Sequence, residues 1–556
     1  MPRLKFFALR SAFFCALAAA LTLAGLSPNL AAAPALAAPT GGPPSTSADL
    51  IVYGGTASGI MTAFTAAHQG LHVILLEPGS HLGGMVTGGL SATDLGNFHV
   101  IGGYARDFYM RAAAHYGLDN LDRGPNWLSE PHVDLEIFNG MLAQAHVQVH
   151  LHARLRQQHG VQLAGTRVVS ITTEDGRRWH AAVFADCTYE GDLMAQSGVR
   201  YTVGREPSSQ YDESLAGVRD HTPGHQFRWF VSAYDDHHHL LPEISPGPLA
   251  APGSGDKNEQ AYNFRMILTN DPADRLPFPR PAGYNRASFA LLARYIASFP
   301  AHAGREANLH DLTNPVPIPN HKADFNNNGP VSTDFIGHSK KYPDGSYALR
   351  ALIGRQTLLY TQSFMYFISH DPSVPASLRA EVNTWGLPKD EFADTAHWPN
   401  QLYIREGRRM IGAYVMRQSD LQTDLTKPDS IGMGSYNSDS HNEQRIAMPD
   451  GSIQNEGDVQ VGVKPYEIPY RVMTPVRTQT TNLLVPVCLS ASHAAYSSVR
   501  MEPQYMIIGQ AAGDAAALAV QGKLAVQDVP IDRLQQILRT QRAILSPDEE
   551  FPAVSK

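Results

Sequence analysis

The stretch that decides the fold is Leu50-Ile51-Val52-Tyr53-Gly54-Gly55-Thr56-Ala57-Ser58-Gly59. Its apolar start predicts a buried strand, and its glycines predict a tight turn into a helix over residues 60–69. A second apolar run, residues 73–76, ends at Glu77. Glycine lets backbone N–H groups approach a pyrophosphate at the positive end of a helix, and an acid after the second strand accepts hydrogen bonds from ribose hydroxyls. The pattern therefore predicts a βαβ unit that binds a dinucleotide.

Thr56 stands where this fingerprint has its middle glycine. Either the backbone lies slightly further from the phosphates, or the threonine hydroxyl joins in binding. A glycine turn without any nucleotide is the alternative for the whole motif. The register of strand, helix, second strand and acid argues against that alternative.

A second glycine-rich loop indicates which dinucleotide is bound. His81-Leu82-Gly83-Gly84-Met85 and Gly88-Gly89 follow shortly after Glu77. A flavin needs backbone pressed against its diphosphate and its ring, whereas an ordinary nicotinamide domain has no such loop. FAD is therefore the predicted cofactor.

Together these motifs resemble those of the bacterial FAD-dependent oxidoreductases, a family in which some members carry a xanthan-lyase-like label. The resemblance runs from about residue 49 to about residue 520 and includes Asp186-Cys187-Thr188-Tyr189-Glu190-Gly191-Asp192, Ser332-Thr333-Asp334-Phe335-Ile336-Gly337 and Ser490-Ala491-Ser492-His493. It implies an α/β fold with a Rossmann-type FAD-binding domain, of the glutathione-reductase kind, and a large inserted substrate domain. The residues expected to bind FAD are Gly54, Gly55, Thr56, Ser58, Gly59, Glu77, Pro78, His81, Gly83, Gly84, Met85, Asp186, Asp192 and Ser492.

The N-terminus predicts an export signal. A basic start precedes an apolar run over residues 11–26, and Ala35-Leu36-Ala37 supplies small residues for a peptidase, so cleavage is expected after Ala37. An uncleaved membrane anchor is the alternative, but the run is shorter than the ~20 residues that span a bilayer. The protein is therefore expected to be periplasmic or secreted, with no stable membrane span after cleavage.

The rest of the chain divides by composition, because residues 207–399 have short apolar runs broken by Pro, Gly and Asn. The predicted parts are a signal peptide (1–37), a flexible leader (38–48), the N-terminal part of the FAD-binding domain (49–206), an inserted substrate domain (207–399), a C-terminal part that returns to the FAD-binding domain (400–545) and a tail (546–556).

Charge and cysteine content exclude two classes of protein. With 44 Lys and Arg against 52 Asp and Glu, the net charge is −8, which argues against a nucleic-acid partner. Cys15 leaves with the signal, so Cys187 and Cys488 are too few for a disulfide framework. We expect both to be reduced, buried and non-catalytic rather than joined to each other.

Two polar segments resemble metal sites, but no metal is predicted. Residues 235–239 place two aspartates beside three histidines, and adjacent side chains rarely converge on one ion. Residues 324–329 copy the opening of a calcium loop, but Phe335 stands where a bidentate acid is required. A hydrated loop and an Asn-rich turn are expected instead.

Residues 402–418 predict a helix in which Arg405 and Arg409, four residues apart, share a face. Such a pair can clamp a substrate carboxylate or a flavin phosphate, because guanidinium groups offer a planar fork to these oxygens. A surface helix with salt bridges is the alternative.

The C-terminal part predicts a second crossover at the flavin. Residues 482–489 read as an apolar strand, residues 490–493 as a polar turn, and a helix opens at Glu502 or Pro503. In flavoproteins of this architecture, the N-terminus of such a helix faces the pyrimidine ring of the flavin.

Catalysis requires a group that removes a proton while the flavin accepts a hydride at N5. His441 and His493 are the candidates for this base, and Arg445 can anchor an anion. The residues expected to bind substrate are Arg405, Arg409, Asp439 and Asn442.

The expected reaction is oxidation of a small polar substrate at CH–OH, sugar-derived alcohols included, or at CH–NH. NAD(P)H is not supplied outside the cytoplasm, so oxygen, a quinone or a cytochrome is the expected electron acceptor. Two alternatives stay open: a flavin-containing lyase-like or non-redox protein acting on polysaccharide, and a secreted binding protein without catalysis.

Overall fold

The computed structural model describes residues 45–118 and 125–549, which begin with the predicted βαβ unit. The strands are, in chain order, β1 (Ser45–Tyr53), β2 (Val73–Leu76), β3 (Gln148–His150), β4 (Val161–Ala164), β5 (Arg167–Thr172), β6 (Arg178–Asp186), β7 (Tyr201–Thr202), β8 (Met266–Thr269), β9 (Arg275–Leu276), β10 (Thr313–Ile318), β11 (Lys322–Asn327), β12 (Leu387–Pro388), β13 (Arg409–Met410), β14 (Ser430–Gly434), β15 (Ser438–Ser440), β16 (Gln444–Ala447), β17 (Ile453–Glu456), β18 (Val459–Val461), β19 (Tyr466–Pro469) and β20 (Leu483–Leu484). The α-helices are α1 (Ala57–His68), α2 (Gly103–His115), α3 (Pro131–Gln144), α4 (Asp192–Gln196), α5 (Ser208–Tyr211), α6 (Ala290–Ala303), α7 (Tyr347–His370), α8 (Ala376–Val382), α9 (Gln418–Gln422), α10 (His493–Val499), α11 (Glu502–Gly522) and α12 (Ile531–Thr540).

One seven-stranded sheet positions the site. Its strand order is β3-β2-β1-β6-β5-β4, and β20 pairs with the C-terminal end of β6. Strand β1 is parallel to β2 and to β6, so Tyr53 lies beside both Leu76 and Asp186. These strands end at one edge of the sheet, where the segments that start with Gly54 and Glu77 come together. The predicted α/β fold with a Rossmann-type domain is confirmed.

Helix α11 returns the C-terminal part of the chain to this unit by packing along α1. A β-carbon on Gly509 would lie 2.3 Å from the backbone oxygen of Ser58, and one on Gly513 would lie 2.6 Å from that of Thr62. Only glycine allows so close an approach. Residues 502–517 of α11 are all buried, and the predicted start of this helix at Glu502 is confirmed.

A second hydrophobic core lies in the middle of the chain. Helix α7 contributes Tyr360, Phe364 and Phe367, which share this core with Phe289 and with apolar residues of the three-stranded sheet β10-β11-β8. Most of its members lie between residues 231 and 398, inside the predicted inserted domain. The boundaries of that domain stay a prediction, because all described residues belong to one compact unit, Pro43–Lys556.

The predicted helix over residues 402–418 is wrong. Most of this segment has no helical structure, and β13 within it pairs antiparallel with β7. Gly407 and Gly412 weaken any helix here, and tertiary pairing overrides the local preference. Arg405 and Arg409 therefore do not share a helix face.

Two other local predictions need correction. Residues 324–327 belong to strand β11 rather than to an Asn-rich turn, because they pair with β8 and β10. The predicted strand over residues 482–489 is limited to β20, because β5 occupies the N-terminal part of the same edge of β6 and Pro486 has no N–H to donate.

The N-terminal predictions lie mostly outside the described residues. Strand β1 begins at Ser45, within the predicted leader 38–48, because residues 45–48 pair with β6. The predicted signal peptide and its cleavage site fall outside the described part of the chain. Within that part, no helix combines the length and the apolar character that a membrane span requires.

Cys187 and Cys488 are both free and buried, as predicted. The Cys187 sulfur lies 3.7 Å from the hydroxyl of Thr62, and the Cys488 thiol donates to the backbone oxygens of Thr188 and Tyr189. Burial raises the pKa of both thiols above the usual value. Both are therefore protonated near neutral pH, and their lack of a catalytic role stays a prediction.

Asp514 is a buried carboxyl where α11 meets the ends of α1 and α12. Its Oδ1 accepts hydrogen bonds from Gln69 at 2.8 Å and from Gln541 at 3.0 Å, while its Oδ2 has no partner. Burial raises the pKa of Asp514 from 3.8 to about 7, although the two hydrogen bonds act to lower it. Because the folded protein favours the protonated form, the stability that this group contributes is present at low pH and is lost as the pH rises through about 7.

Asp514→Asn should stabilise the protein, because the amide stays neutral at every pH and keeps an acceptor for both glutamines. We expect the gain in unfolding free energy to be largest above about pH 7, on the order of 1–4 kcal/mol, and to vanish near pH 4. Urea denaturation at a series of pH values measures it, with the exposed Asp236→Asn as the control. A gain of the same size at all pH values would contradict this account.

Candidate active site

A cleft of about 530 Å3 opens along the sheet edge where β1, β2 and β6 end. This volume lies within the range of small-molecule sites. The predicted residues that line it are Gly54, Thr56, Glu77, Pro78, His81, Gly84 and Asp192. The lining residues to which the sequence gave no role include Arg154, Tyr189, Phe264, Tyr342, Arg350 and Leu402.

Glu77 lies at the end of β2, where the ribose acid of a dinucleotide site is expected. Its Oε2 accepts a hydrogen bond from the Gly55 N–H at 2.7 Å, and its Oε1 accepts one from the Gly79 N–H at 2.5 Å. Burial raises the pKa of Glu77 to about 7, although the two hydrogen bonds act to lower it. The carboxyl is thus held against the glycine-rich turn and faces the cleft.

The hydroxyl of Thr56 has a structural role, which the sequence alone did not reveal. Thr56 is the N-cap of α1, where its hydroxyl oxygen accepts a hydrogen bond from the Gly59 N–H at 3.2 Å. The same hydroxyl donates to the backbone oxygen of Cys187 at 2.7 Å. The side chain therefore ties the glycine-rich turn to the end of β6.

The two glycine-rich loops and the start of α11 converge at one end of the cleft. The Gly83 N–H donates to the Gly55 oxygen at 2.7 Å. The hydroxyl of Tyr189 accepts from the Met85 N–H at 3.0 Å and donates to Glu502 at 2.7 Å. Burial raises the pKa of Glu502 to about 8, so α11 begins with an uncharged carboxyl at neutral pH.

The two predicted aspartates at the end of β6 and just after it have different surroundings. Asp186 is fully buried and accepts hydrogen bonds from Thr188 and from the Met194 N–H, so it shapes the turn. Asp192 lines the cleft and pairs with Arg350 at 2.7 Å and with Arg408 at 2.6 Å. Both guanidinium groups lower the pKa of Asp192 against the effect of burial.

The remaining predicted cofactor residues divide between the cleft and the core. His81 lies at the cleft, with its Nε2 2.7 Å from a carboxylate oxygen of Asp394. Ser58 is buried against Gly509 of α11. Ser492 caps α10 and donates to Glu213 at 2.5 Å, so its hydroxyl is used within the protein.

The glycine-rich turn has no room for side chains, as the predicted diphosphate site requires. A β-carbon on Gly59 would lie 1.9 Å from the Gly54 oxygen. Gly54 has φ +104°, and a β-carbon there would lie 2.8 Å from the backbone of Cys187 and Thr188. The backbone at the N-terminus of α1 could hold a diphosphate and Glu77 could hold a ribose, and both assignments stay predictions.

A group of buried charges, which we call the Asp334 cluster, includes Asp334, His441, Arg405, Asp439 and Arg500. One oxygen of Asp334 lies 2.8 Å from His441 Nδ1, and the other lies 3.0 Å from Arg405 Nη2. His441 Nε2 lies 3.8 Å from Asp439 Oδ1, beyond hydrogen-bond distance. Arg500 donates to the backbone oxygen of Asp439 at 2.7 Å.

The electrostatics of the cluster set the protonation of its two central groups. Burial alone would raise the pKa of Asp334, but Arg405 and His441 outweigh it and hold this pKa well below its usual value. Burial and the charge of Arg405 lower the pKa of His441, although the carboxylates of Asp334 and Asp439 act to raise it. At neutral pH the pair is therefore a carboxylate beside a neutral imidazole.

Two short extended segments separate the cleft from the Asp334 cluster. Asn263 pairs with Tyr403 through an antiparallel bridge. The neighbours Phe264 and Leu402 line the cleft, whereas Asn263 donates to Asp334 at 2.8 Å and the ring of Tyr403 lies under Arg405. The wall is thus one backbone layer thick.

His493 belongs to a different group of buried charges, which we call the Glu406 network. Its Nδ1 lies 2.8 Å from Glu406, and its Nε2 lies 3.2 Å from the Ser440 hydroxyl. Arg409 joins Glu406 at 2.9 Å and Glu206 at 3.0 Å. Both ring nitrogens of His493 therefore have protein partners.

The predicted anion-binding arginines are occupied by protein groups. Arg445 is buried and donates to Asn455, Glu243 and the backbone oxygen of Pro330. Arg405 and Arg409 lie in the two separate groups described above. Asn442 is also buried, and its Nδ2 has no partner.

The described residues contain one group with the spacing of metal ligands: Glu130, His132 and Glu391. Lys322 Nζ already lies 2.5 Å from Glu130 and 3.3 Å from Glu391. The ammonium supplies the positive charge that these carboxylates require, so the group is an ion-pair site of the protein itself.

The sequence singled out His441 but gave no role to its partner. Asp334 lies 107 residues away in the chain, and only its position in a family-like segment marked it. The roles of Glu406, Arg500 and Glu502 were also missed. Their partners are distant in the chain, so no local sequence pattern distinguishes them from other charged residues.

The fold and the cleft define a Rossmann-type dinucleotide-binding enzyme. A family model described as FAD dependent oxidoreductase matches residues 49–538. The chain belongs to this family, and FAD is its cofactor. No curated protein matches the chain.

Several solved flavoprotein structures are similar to parts of the chain. A geranylgeranyl bacteriochlorophyll reductase-like protein from Thermoplasma acidophilum is 10% identical over 90% of this chain and 85% of its own, with a TM-score of 0.34. The OxyS anhydrotetracycline hydroxylase from Streptomyces rimosus is 13% identical over 34% of this chain and 42% of its own, with a TM-score of 0.23. A flavin-containing monooxygenase from Stenotrophomonas maltophilia is 16% identical over 30% and 43%, with a TM-score of 0.19. The match thus spans less than half of the hydroxylase and of the monooxygenase.

Gly59→Leu should yield folded protein without flavin, because the new side chain would displace the Gly54 backbone at the diphosphate. The ratio of visible to ultraviolet absorbance of the pure protein measures flavin content, and circular dichroism checks folding. Gly140→Leu is the control, since Gly140 is also in a helix and a β-carbon there meets nothing within 4 Å. Full retention of flavin by Gly59→Leu would contradict the assignment of this turn to FAD binding.

Proposed function

We propose that this flavoenzyme oxidises a small polar substrate at a CH–OH or CH–NH group and that His441 accepts the proton. Bound FAD supplies the hydride acceptor for such a reaction. The observation that carries the proposal is the Asp334–His441 pair, at 2.8 Å, in a cluster that Arg500 joins to the start of α11.

Asp334 orients the imidazole of His441. A carboxylate at Nδ1 holds the proton on that nitrogen and leaves the lone pair of Nε2 for the substrate. Asn263 and Arg405 fix the carboxylate in turn. Because the pKa of His441 is lowered, its imidazole is neutral and ready to accept a proton at physiological pH.

His493 suits this role less well than His441. It is 2% exposed, and its nitrogens contact Glu406 and Ser440 within the core. A base needs a nitrogen that can reach the substrate. We therefore assign His493 to the support of the Glu406 network.

Unpaired polar atoms next to His441 support a polar substrate. Asp439 Oδ1 and Asn442 Nδ2 are buried and have no hydrogen-bond partner. A buried polar atom without a partner costs free energy, and a substrate hydroxyl or amine that binds there removes this cost. Sugar-derived alcohols and amines have such groups.

The export prediction decides the electron acceptor that we propose. An exported enzyme has no supply of NAD(P)H, so oxygen, a quinone or a cytochrome would reoxidise the flavin. The segment that carries the signal lies outside the described residues, and this part of the proposal rests on its sequence alone.

His441→Asn should keep the flavin spectrum and slow the anaerobic bleaching of the flavin by roughly 10²-fold or more, because the substrate proton then has no acceptor. Stopped-flow absorbance with a panel of alcohols, sugars and amines measures the rate. His493→Asn is the matched control and should slow bleaching much less. If both variants bleach at the parent rate, the base lies elsewhere; if no compound bleaches the parent, the redox proposal fails.

Expression of the full chain in a Gram-negative host should give mature protein that begins at Ala38, because the small residues before it fit a signal peptidase. N-terminal sequencing and intact mass of the periplasmic fraction test this. Intact full-length chain in the cytoplasm would contradict export.

A further inference from the structure

A second cleft opens beside the Asp334 cluster, away from the glycine-rich turn. It measures about 380 Å3, and its lining includes His221, His225, Arg228, Asp311 and Pro330. The ring of His225 stacks on that of His441, with centroids 5.9 Å apart and an angle of 18° between the planes. His225 thus lies beside His441 and also lines this cleft.

We propose that His225 carries the proton from His441 to the solvent of this second cleft. The inference rests on the proposed role of His441 as the base. His441 is only 8% exposed, so a proton that it accepts needs a way out before the next turnover.

The protein holds His225 in place through several separate contacts. His225 Nδ1 lies 2.8 Å from Asp458 Oδ2. A β-carbon on the preceding residue, Gly224, would lie 2.0 Å from the same carboxylate, so glycine is required there. Asn455 donates to the backbone oxygen of His225 at 2.8 Å. The backbone of His225 has φ +51°, a conformation that costs free energy outside glycine and that occurs often at functional sites.

The hydrogen bonds of His225 also fix its tautomer. The carboxylate of Asp458 keeps the proton on Nδ1, so Nε2 is the nitrogen that accepts a second proton. Asn327 Nδ2 lies 3.5 Å from this Nε2, and Asn327 Oδ1 accepts from Arg405 at 3.3 Å. His225 is therefore joined to the same cluster that holds His441.

The charges around the two rings favour proton transfer towards the second cleft. Burial alone would lower the pKa of His225, but Asp458 raises it, with help from Asp334 and Asp439. Burial and Arg405 lower the pKa of His441. His225 is therefore the more basic of the two rings, and the proton moves downhill.

The transfer balances without any further reactant. The proton leaves the substrate O–H or N–H for His441 Nε2, passes to His225 Nε2 and leaves that nitrogen for water in the cleft. Because the two rings are stacked, transfer between their nitrogens requires one bridging water. The Nδ1 protons of both rings stay with Asp334 and Asp458, and no electrons move.

The first test needs no substrate. Deuterium exchange at the histidine Cε1 position, followed by mass spectrometry of the FAD-loaded enzyme over a pH series, gives the pKa of each histidine. We expect a higher midpoint for His225 than for His441, and a lower His225 midpoint in Asp458→Asn. A His225 midpoint below that of His441, or one that Asp458→Asn leaves unchanged, would overturn the proposal.

The second test uses glycerol, glucose and ethanolamine as probes. His225→Gln should bleach the flavin anaerobically at the parent rate but lower kcat by ~10-fold or more, and added imidazole should restore kcat. His221→Gln, in the same cleft, should match the parent in both measurements.

An unchanged kcat in His225→Gln, or a loss that imidazole does not restore, would contradict the relay even where His441→Asn slows bleaching. If His441→Asn bleaches at the parent rate, the proposed base fails instead, and if no probe is turned over, the exchange measurement decides.

Discussion

The close contact between α1 and α11 is the constraint on which the rest of the structure depends. Because Gly509 and Gly513 have no side chains, the two helices can approach each other closely. The contact brings the C-terminal part of the chain onto the βαβ unit and sets the N-terminus of α11 at the end of the cleft. Glu502 then reaches Tyr189 on the cleft side, and the preceding Arg500 reaches Asp439 in the Asp334 cluster. One helix contact thus joins the cofactor cleft to the groups that we assign to catalysis.

The charges behind the cleft are fixed by a second constraint, which is the cost of burying an ion. Arg405 and Arg409 are both buried, and each contacts at least one carboxylate at 3.0 Å or less. Removing one partner of a buried pair typically costs about 3–5 kcal/mol, because the other charge is left uncompensated. These pairs therefore hold their geometry, and Asp334 presents a carboxylate in one orientation to His441. The orientation of His441, the proposed base, therefore depends on the pairing of Asp334 with Arg405.

The sequence predicted those parts of the fold that rest on local patterns. The register of residues 50–77 specifies a strand, a glycine turn, a helix and an acid within one short segment, and the structure agrees. Residues 402–418 were mispredicted because β13 pairs with β7, about 200 residues earlier in the chain. Helix α7 was missed because its polar and apolar residues follow no clear stripe. The partners of His441 and His225 lie more than 100 residues away in the chain, and no local pattern marks such contacts.

We propose that the cleft holds the adenosine half of FAD and that the flavin ring lies at the start of α11, beside His441. A crystal structure of the FAD-bound protein tests this most directly, through the distance between flavin N5 and His441 Nε2. We expect roughly 6–8 Å between these two atoms, which leaves room for one small substrate in contact with both. A separation well beyond ~10 Å would contradict the role of His441 as the base.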